Sequence, residues 1–424
     1  MRHRTRRVAL PGSGILVLAL ALPAMAATPA SKTLDEAAVI HTLTMPDGSD
    51  FGWAISELQD VDGDGVTDLI VSDDHHTTTN SGVVYVFSGS SGALLYQFSE
   101  GTGGRLGYAI ADAGDVDGDG THDIVAGRPG VSTVYVYSGA TGATLLTISR
   151  PTYDRLGVAV AGAGDVNADG HADLLVGAQG TGVNGTNAGR AYVFSGADGS
   201  VLHAMDGSAA GDLFGTATDQ VPDIDGDGVP EHVVGARDAG KWNDGGIWLF
   251  SGATGTLRWQ FHAPKSDAEL GSFFAAGLPD VTGDGVPDVY AGDYAATTNG
   301  NQSGRAYVFS GADGSVFLTL DGAGAKEGRG PGREAGDLNG DGVTDLVIGS
   351  YLSRDGARDG GRFDVFSGAD GTILATVVGT IPGAQLGYDA VGLGDVDGDG
   401  VPDVAVSAAL ANTVYVVSGA SLLP

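Results

Sequence analysis

The amino-acid sequence reads as an all-β fold, a seven-bladed β-propeller of four-stranded blades whose ring is closed by the N-terminal strand. Three observations carry this expectation. A nonapeptide rich in Asp and Gly recurs seven times, its first residues 55, 50, 58, 57, 57 and 58 apart, and a period of this length belongs to a propeller blade or a solenoid unit. Every unit contains the same succession of short alternating or β-branched runs separated by Gly, Asp and Asn turns, with no helical period. The last unit is one strand short, and a spare strand stands ahead of the first unit.

Residues 1–7 carry Arg2, Arg4, Arg6 and Arg7 and no acid; the apolar run Ile15 to Leu22 and the small-x-small pattern Ala24-Met25-Ala26 follow. Basic, apolar, small is the order of an export signal, and the apolar run is too short to span a bilayer. Residues 1–26 are expected to be a signal peptide, 27–38 a short N-terminal segment and 39–424 the propeller. Thr5-Arg6-Arg7 leaves both the general and the twin-arginine routes open. A secreted, periplasmic or cell-surface location follows, without membrane insertion.

Within a unit, a Phe-Gly or Leu-Gly pair opens strand A: Phe51-Gly52, Leu106-Gly107, Leu156-Gly157, Phe214-Gly215, Leu270-Gly271 and Leu386-Gly387, with a degenerate Arg329-Gly330 in the sixth. The acidic nonapeptide follows, then a β-branched strand B such as Leu69-Ile70-Val71. A variable loop leads to strand C, for example Ala191-Tyr192-Val193-Phe194, and a tight Ser-Gly turn to strand D, for example Val201 to Met205. The chain stops after the seventh strand C, Val414 to Val417. Val39-Ile40-His41-Thr42-Leu43-Thr44 is the spare strand. Pairing it into the last blade removes both exposed edges, whereas a solenoid would need capping repeats.

Composition narrows the function. Apolar residues make up 42% of 424, enough for a core, so the net charge of −32 does not mark a disordered acidic tail. The 73 glycines lack the three-residue period of collagen. Such a charge repels phosphate backbones and excludes nucleic acid as a partner. Loss of residues 1–26 would take the charge to −36. With no cysteine there are no disulfides, thiolate chemistry or Cys-based zinc sites.

The nonapeptides have ligand spacing for a hard cation. Calcium takes six to eight oxygens, and the EF-hand loop uses side chains at positions 1, 3 and 5, a carbonyl at 7 and Gly at 6. Here position 9 adds a carboxylate. The candidate ligands are Asp60, Asp62, Asp64, Val66 and Asp68; Asp115, Asp117, Asp119, Thr121 and Asp123; Asp165, Asn167, Asp169, His171 and Asp173; and Asp223, Asp225, Asp227, Val229 and Glu231. The last three loops offer Asp280, Thr282, Asp284, Val286 and Asp288; Asp337, Asn339, Asp341, Val343 and Asp345; and Asp395, Asp397, Asp399, Val401 and Asp403. Asp and Gly are also plain turn formers, but carboxylates fill 25 of the 28 side-chain positions, and Asn167, Thr282 and Asn339 still carry oxygen. Up to seven Ca²⁺ are expected, in a structural role. Magnesium suits the loop poorly, since it demands octahedral geometry and dehydrates reluctantly. Thr282 makes the fifth loop weakest, Ala168 replaces a turn glycine in the third, and Glu231 lengthens the last ligand of the fourth.

Phe-Gly, then Asp-x-Asp-Gly-Asp-Gly-x-x-Asp, then strand ends such as Val176-Gly177-Ala178 and Val234-Gly235-Ala236 together resemble the FG-GAP repeat. That repeat builds the seven-bladed propeller at the N-terminus of integrin α chains. The resemblance covers nearly the whole chain after the leader. It implies calcium in the loops and a ligand face on the ring. Integrins carry the loop in only some blades, whereas here all seven have it; heterodimer function does not carry over.

The A–B loops with their acids occupy one face, and the longer B–C and D–A loops the other, as binding surfaces tend to. The second face offers Asp73-Asp74-His75-His76, Lys241-Trp242-Asn243-Asp244, Asp293-Tyr294, Arg354-Asp355-Gly356-Ala357-Arg358, Tyr153, Arg155 and Lys265. Such residues suit a peptide or a sugar, or simply face water. His122, His171 and His232 read as solvated turn residues. No nucleophile elbow and no zinc-protease motif occurs, so no catalytic residue is singled out. The expected function is extracellular recognition or adhesion, with a protein or glycan ligand. The alternative is a calcium-dependent polysaccharide lyase or hydrolase, which a basic–acid pair deep in the channel would favour; a third reading is a structural subunit of a surface assembly.

Overall fold

A computed structural model describes residues 29–45, 50–75, 80–264 and 269–423. The expected signal peptide lies outside the described residues, as do His76 and Lys265. Seven antiparallel sheets follow one another around a ring. The first blade comprises Ile55–Leu58, Asp68–Asp73, Val83–Phe87 and Leu94–Phe98 as strands A to D. The third comprises Leu156–Gly164, Asp173–Ala178, Arg190–Phe194 and Val201–Asp206. Strand A is innermost; each packs against the strand A of its neighbours, and the seventh, Leu386–Gly394, against the first.

Burial explains the residue choice in each strand. Strand B is covered on both faces by adjacent blades, so all six residues of Asp68–Asp73 are buried and its middle, Leu69-Ile70-Val71, is aliphatic without alternation. Strand D lies at the rim and is largely open to solvent, as in Val201–Asp206, where Met205 is the one buried residue. The core is divided into wedges between neighbouring blades. Phe98, Leu106 and Tyr137 join the first to the second, and Phe363, Leu386 and Val406 the sixth to the seventh. Phe51, Val391 and Val414 close the circle between the seventh and the first.

The ring closes as expected. Val39–Thr44 pairs antiparallel with Thr413–Val417 as strand D of the seventh blade. His41 Nε2 of this strand lies 3.0 Å from the Gly89 carbonyl of the first blade. An addition was not foreseen: Lys32–Thr33 adds a fifth, parallel strand to the sixth blade beside Ile373–Val378. Lys32 Nζ donates to the carbonyls of Ser421 and Leu422 at 2.7 and 3.0 Å.

The Phe-Gly and Leu-Gly pairs do not all open strand A. In the first, second and fifth blades the strand begins later, at Ile55, Ile110 and Ala275. Their role is packing. Gly107 has φ +80, and a Cβ there would lie 2.8 Å from the Ser72 Cβ of the preceding blade, so this approach tolerates only glycine. The preceding residue enters the core: Phe51 meets Tyr85 edge-on at 5.6 Å, and Phe214 meets Trp248 at 5.5 Å. In the sixth blade both partners change together, and buried Arg329 Nη2 reaches buried Asp364 Oδ2 at 2.7 Å.

Candidate functional site

Each acidic loop joins the inner strand to strand B, as Leu58↔Asp68 shows. Its first carboxylate organises the turn: Asp60 Oδ1 accepts from Gly63 N at 2.7 Å and Asp64 N at 3.2 Å, and Oδ2 from Gly65 N at 2.7 Å. Asp64 Oδ1 accepts from Val66 N at 2.9 Å, so position 7 is tied to position 5 through its N–H. Position 9 is buried, and Asp68 accepts from Val61 N and Gly89 N at 2.9 and 3.0 Å. A Cβ on Gly89 would lie 1.9 Å from the Thr67 carbonyl oxygen, so glycine lets the C–D turn reach the loop. Burial pushes Asp68 up to about 6, against the two N–H donors and with Asp62 and Asp60 adding to the rise. Asp123 and Asp345 likewise rise to about 6 through burial.

Among the described residues, carboxylate oxygens of four acidic loops lie within 4.8 Å of one another: Asp60, Asp62 and Asp68; Asp115, Asp117 and Asp123; Asp223, Asp225 and Glu231; and Asp395, Asp397 and Asp399. These all-oxygen sets fit a hard divalent ion. In the third and sixth loops the amide at position 3 turns inward, Asn167 Nδ2 donating to Asp169 at 2.9 Å and Asn339 Nδ2 to Asp341 at 3.0 Å. Ala168 takes the left-handed φ of +57 that glycine takes elsewhere. In the fourth loop Arg258 Nη1 donates to Asp225 at 2.6 Å and Glu231 at 2.9 Å.

The histidines differ from the expectation of solvated turns. His232 is fully buried on strand B; burial drives its imidazole down to about 4, so it is neutral, and Nε2 lies 3.3 Å from the Ala163 carbonyl. His122 pairs with Asp112 at 2.9 Å, which raises it, and His171 Nδ1 lies 2.8 Å from the Val116 carbonyl.

At the opposite end of the inner strands, six aromatic rings form a closed circuit. Centroids are 5.7 Å apart for Trp53–Tyr108, 6.2 Å for Tyr108–Phe273, 6.4 Å for Phe273–Tyr294, 6.2 Å for Tyr294–Tyr351, 5.5 Å for Tyr351–Tyr388 and 5.6 Å for Tyr388–Trp53. Tyr108 and Phe273 belong to blades that are not neighbours, so Phe273 reaches across the mouth. Arg105 stacks on this rim, 4.5 Å from the Tyr108 centroid, with its Nε 2.8 Å from buried Asp74. The circuit caps a cavity of about 350 Å³ that continues to Glu57, Asp112, Asp219, Arg333 and Asp389.

The floor stitches blades together. Asp389 accepts from Ile55 N at 3.1 Å, Asp112 from Gln59 N at 3.2 Å and Asp219 from Gly277 N at 3.2 Å, each across a blade boundary. Arg333 Nη1 reaches Asp389 Oδ1 at 3.1 Å. Burial pushes Asp219 up to about 7, opposed by Arg333 and reinforced by Glu57. It lifts Glu334 to about 7 as well, with Glu57 and Asp219 adding to the rise. Glu57 Oε2 is buried without a hydrogen-bond partner.

Of the loop residues expected to form a ligand face, only Tyr294 joins the circuit. Asp73, Asp74 and Asp293 are buried, while Tyr153 and Trp242 are exposed away from it. Trp53, Tyr108, Phe273, Tyr351, Tyr388 and the floor were missed. The available signal was the residue after Phe-Gly or Leu-Gly, which is Trp53, Tyr108 and Tyr388 in three blades.

A family profile described as FG-GAP-like repeat matches residues 60–126 and 115–176, and one described as FG-GAP repeat matches 334–366. The chain carries FG-GAP repeats over these residues of its seven-bladed propeller. Among curated proteins the chain is similar to integrin alpha-4 of Xenopus laevis, 28% identical over 200 residues, 44% of this chain and 19% of that protein. It is similar to integrin alpha-2 of Bos taurus, 33% identical over 170 residues, 36% of this chain and 14% of that protein. Integrin alpha-V of Gallus gallus is 32% identical over 154 residues, with shares of 34% and 14%. The chain thus matches less than a fifth of the length of each of these relatives. Among the described residues no helix is long and apolar enough to cross a membrane.

Proposed function

We propose that this FG-GAP propeller is an exported calcium-binding protein of extracellular recognition or adhesion, and that its ligand presents a cationic group to the aromatic mouth. The observation that carries this reading is the circuit of six aromatic rings above a floor where carboxylates outnumber the single guanidinium of Arg333. Aromatic faces and carboxylates both attract a cation, by roughly 0.5–2 kcal/mol per ring contact. A lysine or arginine side chain of a protein partner has the size and charge for this site. The basic–apolar–small leader supports export, and the all-oxygen loops support calcium, which would be held by the carboxylates at positions 1, 3, 5 and 9. Bound there, calcium would neutralise the loop and clamp the A–B edge of each blade it enters. The similarity to integrin alpha chains supports a place at or outside the cell surface.

The channel does contain a basic–acid pair, Arg333 and Asp389. Asp389 is also engaged by Ile55 N and Ala390 N, an arrangement that suits holding strands more than moving a proton to a substrate. The deciding experiment passes the leader-free protein, with calcium, over immobilised basic peptides, their alanine-substituted counterparts and extracellular polysaccharides. Retention by the basic peptides alone, reduced at least tenfold by Trp53→Ala, is expected. Clearing of a polysaccharide would replace this reading with the enzymatic one.

A further inference from the structure

The fourth acidic loop differs from the other six in two residues that face each other. It alone ends in a glutamate, Glu231, where the others end in Asp68, Asp123, Asp173, Asp288, Asp345 and Asp403. It alone lies beneath an arginine. The strand pairing places Arg258 level with Leu95, Leu145, Leu202, Phe317, Leu374 and Ile40 of the other blades, all apolar.

The hydrogen bonds change with the residues. In six loops one oxygen of the position 9 carboxylate accepts from the glycine N–H of the C–D turn, at 2.9 to 3.2 Å. Glu231 keeps the equivalent of the other bond, Ile224 N to Oε2 at 2.7 Å, but its Oε1 accepts from Arg258 Nη1 at 2.9 Å. The same Nη1 reaches Asp225 Oδ2 at 2.6 Å. Two of the four carboxylates that would ligate a metal are thus bridged by one guanidinium, and the extra methylene of Glu231 gives the reach. A guanidinium is charged at every working pH and forms its strongest bonds to carboxylates.

We infer that Arg258 is a built-in cation that replaces calcium in the fourth blade, so that this loop is clamped without metal. The inference rests on the calcium reading of the other loops. Native mass spectrometry of the leader-free chain in calcium counts the bound ions. Arg258→Gln is expected to raise the count by one, and Leu202→Arg with Asp173→Glu, which copies the pair into the third blade, to lower it by one if that loop is filled in the parent. An unchanged count in Arg258→Gln overturns the inference. Hydrogen exchange on the unaltered protein is a second measurement that needs no variant. Chelator should speed exchange of loop amides such as Gly63, Gly118 and Gly398 and leave Gly226 and Gly228 unchanged; equal acceleration in the fourth loop overturns it. A protein that binds no calcium in any loop would overturn the calcium reading itself, and this inference with it.

Discussion

In six blades the residue before the packing glycine at or ahead of strand A is Phe or Leu; in the sixth it is Arg329, bonded to Asp364 where other blades carry Tyr85, Tyr192 or Trp248. Truncating one partner of a buried pair costs about 3–5 kcal/mol, while replacing both by apolar groups is often neutral or stabilising. Arg329→Leu should therefore destabilise by roughly 3 kcal/mol, toward the lower end of that range, because Arg362 Nε still reaches Asp364 at 3.2 Å. Arg329→Phe with Asp364→Tyr should recover the loss; urea unfolding of the calcium-loaded protein measures both. Glu334 carries a different residue-scale expectation. Its carboxyl is raised from 4.5 to about 7, so between these values the native state holds a proton that the unfolded chain has released. Stability then falls as pH rises through this window. Glu334→Gln should flatten that fall, read as the change in melting temperature between pH 5 and 8.

The place of the acidic loop as the A–B hairpin is legible because its nine residues are consecutive and lie between two β-patterned runs. The closing strand is legible for a related reason: a ring of sheets cannot keep one strand unpaired. The mouth is not legible, since its rings come from different registers. Trp53, Tyr108 and Tyr388 follow the glycine directly, Phe273 comes one residue later, and Tyr294 and Tyr351 come from the far end of strand B. No single repeat position is aromatic, so the pattern exists only in three dimensions. Two predictions belong to these elements. Stripping calcium should lower the melting temperature, since a filled site adds roughly 2.7 kcal/mol at 100 times its Kd; a chelator titration followed by calorimetry tests it. Deleting residues 29–45 should expose Thr413–Val417 as an open edge and give self-association, seen by light scattering.

Across the whole molecule, carboxylates gather at two places, the acidic loops at one end of the inner strands and the floor beneath the aromatic mouth at the other. Asp219 and Glu334, both near 7, would lose protons between pH 6 and 8. The floor then becomes more negative, and a basic ligand should bind more tightly at pH 8 than at pH 6 by several-fold; isothermal titration at the two values checks the sign. The seam that closes the ring has a mechanical side as well. Val39 lies opposite Val417 and Thr44 opposite Thr413, so the chain enters and leaves this pair at the same end. Hydrogen bonds in an antiparallel ladder run across the strands. A pull along the chain from its two ends would break them one after another, as in unzipping, with the Lys32 contacts to Ser421 and Leu422 yielding first. A pull entering through the mouth and leaving through the blades would strain many ladders together. As a tether, the propeller would hold a load borne through its ligand and give way to one drawn through its own backbone.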